Sequence, residues 1–203
     1  MINHRNEDEI MKEKKIDQRV RLTQSLLKNA LVKLMQEQHI SKISVRALCD
    51  AAGINRSTFY LHYTDPYDLL AQVEEEVLEN VKRYLNVKSI SNTKPMSTQV
   101  LKNLLEYVKE NVDLFKALLS ENCDFAFQKD LMELAQVISS QPDQSLDPNT
   151  IEYVKAFCLP GAINVLQKWL QDGMKESTEQ ISEFIVHVIY YGISNLNRDI
   201  LGN

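Results

Sequence analysis

Two short helices are made to meet at Gly53, and that junction limits what the surrounding chain can become. The stretch reads Ser44-Val45-Arg46-Ala47-Leu48-Cys49-Asp50-Ala51-Ala52-Gly53-Ile54-Asn55-Arg56-Ser57-Thr58-Phe59-Tyr60-Leu61-His62-Tyr63. Ser44 stands where an N-cap is needed, because its hydroxyl can accept from the free N–H groups of a first helical turn. Val45, Leu48, Ala51 and Ala52 then repeat at helical spacing and predict one apolar face. Gly53 supplies the left-handed backbone that ends such a helix, and Asn55 is positioned to cap the next. The small Ala51 and Ala52 let two helices cross closely. The pattern predicts a helix-turn-helix, a motif whose second helix can lie in a DNA major groove.

A helical hairpin buried in a core would share the glycine turn and the apolar spacing. The second helix argues for the exposed alternative. Asn55, Arg56, Ser57, Thr58, Tyr60 and His62 carry the hydrogen-bonding groups that read base edges or hold phosphates. Phe59 and Tyr63, four residues apart, supply an inward anchor.

The segment from about Arg21 to Leu70 resembles the DNA-binding domain of the TetR family of bacterial transcriptional regulators. The residues that carry the resemblance are a first helix over Thr23 to Gln38, the Ser-Val-Arg-Ala-Leu helix from Ser44, the Ala-Gly-Ile-Asn-Arg-Ser-Thr-Phe-Tyr-Leu-His-Tyr run, and a helix opening with Asp68-Leu69-Leu70. The resemblance implies that Ser44, Arg46, Asn55, Arg56, Ser57, Thr58, Tyr60 and His62 form the DNA-binding set. Arg56 and Asn55 are the expected base contacts; Arg46, Tyr60 and His62 are the expected phosphate contacts. One departure stands out. The family usually carries a Lys at the start of the fourth helix, and here that place reads Asp65-Pro66-Tyr67, which leaves the phosphate contact there open, with Tyr67 a weak substitute. Tyr63 replaces the commoner Phe and should still pack.

Composition agrees with a small helical regulator. Only 5 Gly and 5 Pro among 203 residues, against 44% hydrophobic residues, argue against disorder and against a turn-rich all-β fold. No apolar run approaches the roughly 20 residues needed to span a bilayer. The opening Met1-Ile2-Asn3-His4-Arg5 is too polar for an export signal, so no membrane partner and a cytoplasmic location are expected. Cys49, Cys123 and Cys158 are scattered without a C-x-x-C pair, so neither a disulfide framework nor a zinc knuckle is indicated.

The net charge of −5 is unevenly divided. Lys12 to Tyr63 holds ten Lys or Arg against four acids, whereas Thr64 to Asn203 holds twelve against twenty-one. A basic head on an acidic body suits a protein that presents one end to phosphates.

The expected fold is all-α, with about nine helices: a three-helix helix-turn-helix domain followed by a larger helical domain for dimerisation and ligand binding. Residues 1–17 read as a flexible polar arm that either reaches DNA or simply frays. Residues 18–65 form the DNA-binding domain and 66–203 the regulatory and dimerisation domain. Leu26, Leu27, Ala30, Leu31 and Leu34 form the buried stripe of the first helix. Pro66 opens the fourth helix with Asp65 as its cap. Asn86 to Ser97 reads as a loop, as does the stretch through Pro142 and Pro148. Two long helices follow, about Thr150 to Asp172 and Ser177 to Asn197. Pro160-Gly161 should kink or break the first of them, and Ser177 with Gln180 resembles a capping box for the second.

The apolar arcs of those two helices are wider than one core face needs. In TetR-like proteins the last two helices pair with their mates in a four-helix bundle. A homodimer is therefore expected, with Leu166, Trp169, Leu170, Phe184, Val188 and Tyr191 at the interface and two recognition helices set on a near-palindromic site. The family commonly binds a small molecule in the second domain. Tyr107, Phe115, Cys123, Phe125, Phe127, Phe157 and Cys158 could line such a cavity, although each is more often plain core. Any effector should be apolar rather than ionic. The Gly-Ala-Ile, Trp-Leu and Gly run from Gly161 to Gly173 resembles a subgroup of the family, some of whose members act through partner proteins.

Catalysis finds little support. No Gly-rich phosphate loop, G-x-S-x-G elbow or H-E-x-x-H occurs. The four histidines lack metal-ligand spacing, and no metal or other cofactor is expected. Cys158 and His187 are the only thiol–imidazole pair worth weighing, and a core or interface role suits them better. The expectation is thus a sequence-specific DNA-binding repressor that blocks polymerase sterically. An activator, or a helical adaptor of the same fold working through a protein partner, is the alternative.

Overall fold

The computed structural model describes the backbone of residues 3–85, 98–123, 125–138 and 148–194, and side chains over 18–85, 98–123, 126–134 and 148–189. Among the described residues there are nine α-helices and no strand. They are α1 (Asn3–Met35), α2 (Val45–Ala52), α3 (Arg56–Phe59), α4 (Pro66–Tyr84), α5 (Thr98–Glu110), α6 (Val112–Leu118), α7 (Phe125–Ile138), α8 (Pro148–Gln171) and α9 (Thr178–Ser194). A single 3-10 turn, Ile40–Lys42, joins α1 to α2. The loop expected over Asn86–Ser97 lies outside the described residues, as does Pro142, whereas Pro148 opens α8.

Two compact units emerge: residues 1–74 with 121–123, and residues 75–120 with 124–203. The division falls inside α4, between Glu74 and Glu75, and the buried Leu69, Leu70 and Val73 lie on the first unit's side of it. The segment read as a polar arm is helical from Asn3 onward. Residues 3–35 contain neither Gly nor Pro and are rich in Lys and Glu, good helix formers, so nothing local stops α1 at its N-terminal half.

In the first unit, Leu27, Ala30, Leu31 and Met35 of α1 are buried with Ile40, Ile43, Leu48, Cys49, Phe59 and Tyr63. Two expectations need correcting. Leu26 is 39% exposed, and Met35 extends the stripe that Leu27 and Leu31 begin. On α2 the buried partner of Leu48 is Cys49, whereas Ala51 is exposed. The inward set Val45, Leu48, Cys49 and Ala52 follows the i, i+3, i+4, i+7 spacing of one helical face.

The turn of residues 121–123 belongs to this unit although α6 and α7 flank it in sequence. The Asn122 carbonyl accepts from the Ile40 N–H (3.0 Å), and its side-chain Nδ2 donates to the Met35 carbonyl (3.0 Å). One residue therefore satisfies a carbonyl at the C-terminus of α1 and an amide of the 3-10 turn, groups that helix ends leave unpaired.

In the second unit, Leu101, Leu105, Val108, Leu114, Phe115, Leu118, Phe127 and Leu170 are among the buried residues. Tyr107 stacks on Tyr84 (4.9 Å between centroids), meets Phe115 edge-on (5.5 Å), and accepts a hydrogen bond from Asn80 (3.1 Å). Helices α5 and α9 are tied by the Thr178 hydroxyl on the Glu106 carboxylate and by Lys102 with Glu179 (3.2 Å).

Pro160 does not break α8, which runs continuously from Pro148 to Gln171. The carbonyl that loses its partner belongs to Ala156, an exposed residue, where water can replace the missing N–H. Helix α8 ends at Gly173 (φ 84°), and the capping box expected ahead of α9 is present. The Ser177 N–H donates to the Gln180 side chain (2.9 Å) and the Gln180 N–H to the Ser177 hydroxyl (3.2 Å).

Candidate nucleic-acid interface

The motif is built as its residues demand. The Ser44 hydroxyl accepts from the Ala47 N–H (3.2 Å) and fixes the start of α2. Gly53 closes it at φ 68°, and the N–H groups of Gly53 and Ile54 both donate to the Cys49 carbonyl. A Cβ at Gly53 would meet no atom within 4 Å. The demand for glycine is conformational: left-handed backbone costs an L-residue about 1–2 kcal/mol.

Asn55 occupies the N-cap position of α3 in an extended conformation, but its side chain makes no capping bond. Only its backbone carbonyl serves the helix, accepting from the N–H groups of Thr58 (3.0 Å) and Phe59 (3.1 Å). The exposed side-chain amide expected to cap is left to face outward. Helix α3 is a single turn, continued by turns through Tyr60, Leu61 and His62. Phe59 is fully buried, and its ring lies 5.6 Å from those of both Tyr60 and buried Tyr63. That anchor sets the outward side. At about 100° per residue, the exposed residues follow one another around the axis as Arg56, Tyr60, Ser57 and Leu61. Thr58 and His62 are half-buried at the margin.

The eight residues expected to meet DNA divide accordingly. Arg56, Ser57 and Tyr60 share the exposed side of the second helix, Asn55 is exposed at its N-cap, and Thr58 and His62 flank it. Ser44 and Arg46 open α2, and Ser44 has its structural duty as a cap. Arg46 is exposed and lies 3.6 Å from Asp50, one turn on, a solvated pair that contributes little. Burial pushes the Cys49 thiol up, with the nearby Arg56 cation opposing that rise. Leu61, 78% exposed, is a member of the outward arc that a search for polar readers passes over.

At the start of α4 the departure from the family pattern has a structural counterpart. The Asp65 carboxylate accepts from the N–H groups of Tyr67 (2.8 Å) and Asp68 (3.0 Å), so the first-turn donors are already used. The Asp68 carboxylate accepts from the Thr64 N–H (2.8 Å) and hydroxyl (3.2 Å), and from Gln72 (3.0 Å). These bonds, the Thr64 N–H first, hold its carboxyl below the usual carboxylate range. Two carboxylates thus stand where a phosphate-binding cation would have been useful.

The other expected sites are only partly brought together. Tyr107, Phe115 and Phe127 are buried in the second unit, whereas Cys123 belongs to the first, with its thiol 3.5 Å from Glu74. Phe157 is 80% exposed, and the Phe125 side chain lies outside the described residues. Of the expected interface set, Phe184 and Val188 are exposed and Leu166 is half-buried. Trp169 (2% exposed) and Leu170 are buried within the single chain, and the Tyr191 side chain lies outside the described residues. Trp169 instead donates its indole N–H to the Glu176 carbonyl (3.0 Å) and fastens the α8–α9 turn. Burial pushes the Cys158 thiol up, the opposite of what a nucleophilic thiolate needs. Among the described residues no helix is long and apolar enough to cross a membrane, and no group of His, Cys, Asp and Glu is arranged to hold a metal.

Comparison with known proteins places this architecture. Residues 27–73 match the family described as bacterial regulatory proteins, tetR family, and residues 96–191 match the family described as transcriptional regulator C-terminal region. The chain is 21% identical over 166 residues to an uncharacterized HTH-type transcriptional regulator, YxbF, of Bacillus subtilis (strain 168). That alignment spans 80% of this chain but only 43% of the longer protein. Among solved structures, a TetR transcriptional regulator from Streptococcus agalactiae 2603V superposes with a TM-score of 0.63 at 22% identity, covering 87% of this chain and 98% of its own. The dihydroxyacetone kinase operon activator DhaS does so with a TM-score of 0.54 at 20% identity, covering 85% and 96%. The two family matches together span most of the chain, one on the helix-turn-helix and the other on the helical body, and the chain belongs to the TetR family of bacterial transcriptional regulators.

Proposed function

We propose that this chain is a sequence-specific DNA-binding repressor that acts as a homodimer on a near-palindromic operator. The observation that carries the reading is the outward side of α3, where Asn55, Arg56, Ser57 and Tyr60 are exposed over a fully buried Phe59 anchor. Side chains of these types, on a rigid element thin enough for the major groove, suit base and phosphate contacts. Arg56 and Asn55 read bases; Arg46, Tyr60 and His62 hold phosphates. Two such helices, one per protomer, would enter successive grooves about one DNA turn apart and exclude polymerase.

The excess of Lys and Arg over acids between Lys12 and Tyr63 supports an electrostatic footprint on that end of the chain. Modulation of the affinity by a small apolar ligand or a protein partner belongs to the same proposal, with Tyr107, Phe115, Phe127 and Cys158 as the remaining candidates for a binding site in the second unit. Activation is the alternative outcome, kept by DhaS, an operon activator whose likeness to this chain is one of fold.

Selection from a random DNA pool at two salt concentrations tests this reading. The expected result is enrichment of a near-palindrome whose affinity falls steeply as salt rises. Failure to enrich any motif would overturn it.

A further inference from the structure

We propose that Leu61 is an apolar reader of thymine, packing its side chain against the 5-methyl group in the major groove. The inference rests on the DNA-binding reading above and adds to it a specificity residue of a different chemical kind.

Leu61 sits midway in sequence between the two buried anchors, Phe59 and Tyr63. Two residues correspond to about 200° of helix, so a residue two away from both anchors points almost directly opposite to them. The turn keeps that helical sense through Leu61 and beyond, with the N–H of Leu61 on the Thr58 carbonyl (3.3 Å), of His62 on Phe59 (2.9 Å) and of Tyr63 on Phe59 (3.0 Å). The consequence is visible in the exposure: 78% for Leu61, against 59% for Tyr60 and none for Phe59. An aliphatic side chain therefore stands well out into solvent, beside Ser57 on the arc that also holds Arg56 and Tyr60.

A lone exposed leucine on an ordinary surface needs no explanation. Here its neighbours are the groups that would lie against base edges, and a side chain with no hydrogen-bonding atom can gain there only by covering an apolar one. In the major groove that atom is the thymine 5-methyl; the other edges offer donors and acceptors, which Leu61 would desolvate without repaying. The same side chain thus favours T and penalises the exposed polar edge of a C·G or G·C pair at its position.

The test uses the full-length protein and the operator that random-pool selection yields. Each thymine is replaced in turn by deoxyuridine, which removes the 5-methyl and alters no Watson–Crick group. For the wild type, one substitution per half-site should weaken binding by about fourfold, the worth of one buried methyl. Leu61→Ala should bind the thymine operator less tightly and lose its sensitivity to that substitution. Circular dichroism and an unchanged melting temperature would show that the variant is folded, as expected for so exposed a residue. If no thymine is sensitive, or if Leu61→Ala keeps the full sensitivity, Leu61 does not read the methyl, while the DNA-binding reading stands. If no sequence is enriched at all, that reading fails and this one with it.

Discussion

Arg56 is the side chain on which sequence preference should depend most. It begins α3, is exposed, and has the planar fork that pairs with guanine through two hydrogen bonds. Arg56→Ala should cost about 1–3 kcal/mol of operator affinity and relax the preference at one position per half-site, as read by competition binding against a set of single-base variants. Uniform weakening on every sequence would assign Arg56 to phosphates instead. A second residue-scale prediction concerns Asp68, whose folded carboxyl is depressed mainly by the Thr64 N–H. A depressed acid contributes stability that is present above its ordinary value of 3.8 and is lost as pH falls through the lower folded value. Asp68→Asn should therefore flatten the acid limb of a melting temperature–pH profile below about pH 4, and an unchanged limb would remove Asp68 from the account. Both residues were legible in the sequence to different degrees. The polar character of Arg56 pointed to its side of the helix. Asp68 was visible only as part of a helix start, because its bond to Thr64 depends on how the chain enters α4.

Several helix caps were readable because their chemistry is local, although the Asn55 side chain makes no capping bond. Ser44, Gly53, Asp65 and the Ser177–Gln180 pair act within four residues of themselves, so their roles follow from type and spacing. Where outcome depends on distant packing, the sequence is silent. Pro160 looked like a kink or break because its missing N–H is a local fact, while the exposure of Ala156, where water can replace that N–H, is not. Trp169 looked like an interface residue because an apolar side chain at helical spacing serves a subunit contact and an internal core equally well; within the single chain it is buried. The turn at Asn122 is the extreme case, since it joins residues more than eighty apart in sequence. Asn122→Ala would leave the Met35 carbonyl without its donor and should lower stability by about 1–2 kcal/mol, measured by chemical denaturation. A loss below about 0.5 kcal/mol, the low end for a single hydrogen bond, would show that water or a neighbouring group replaces the amide.

At the scale of the whole molecule, a recognition element of one helical turn presents few base contacts, and specificity on a genome then requires two copies read at a fixed spacing. For the proposed homodimer, the second unit has exposed apolar side chains. Phe157 and Tyr153 on α8, four residues apart, are 80% and 67% exposed, and Phe184 and Val188 on α9, again four apart, are 53% and 47% exposed. Two i, i+4 apolar pairs left uncovered on adjacent C-terminal helices are what a self-complementary four-helix contact would use. Phe184 and Val188 belong to the set expected from the sequence, Tyr153 and Phe157 add to it, and Trp169 and Leu170 are buried within their own chain. Light scattering of the wild type at micromolar concentration should report a dimer. Phe157→Glu places a charge in the centre of that contact and should shift the equilibrium to monomer. Its helical content should be unchanged, since the side chain is almost wholly exposed in the single chain. Operator affinity should fall by at least tenfold with it, because one half-site must then be held without the effective concentration that the partner supplies. A Phe157→Glu protein that remains dimeric would move the interface elsewhere on the second unit, and a monomeric wild type would remove the homodimer altogether.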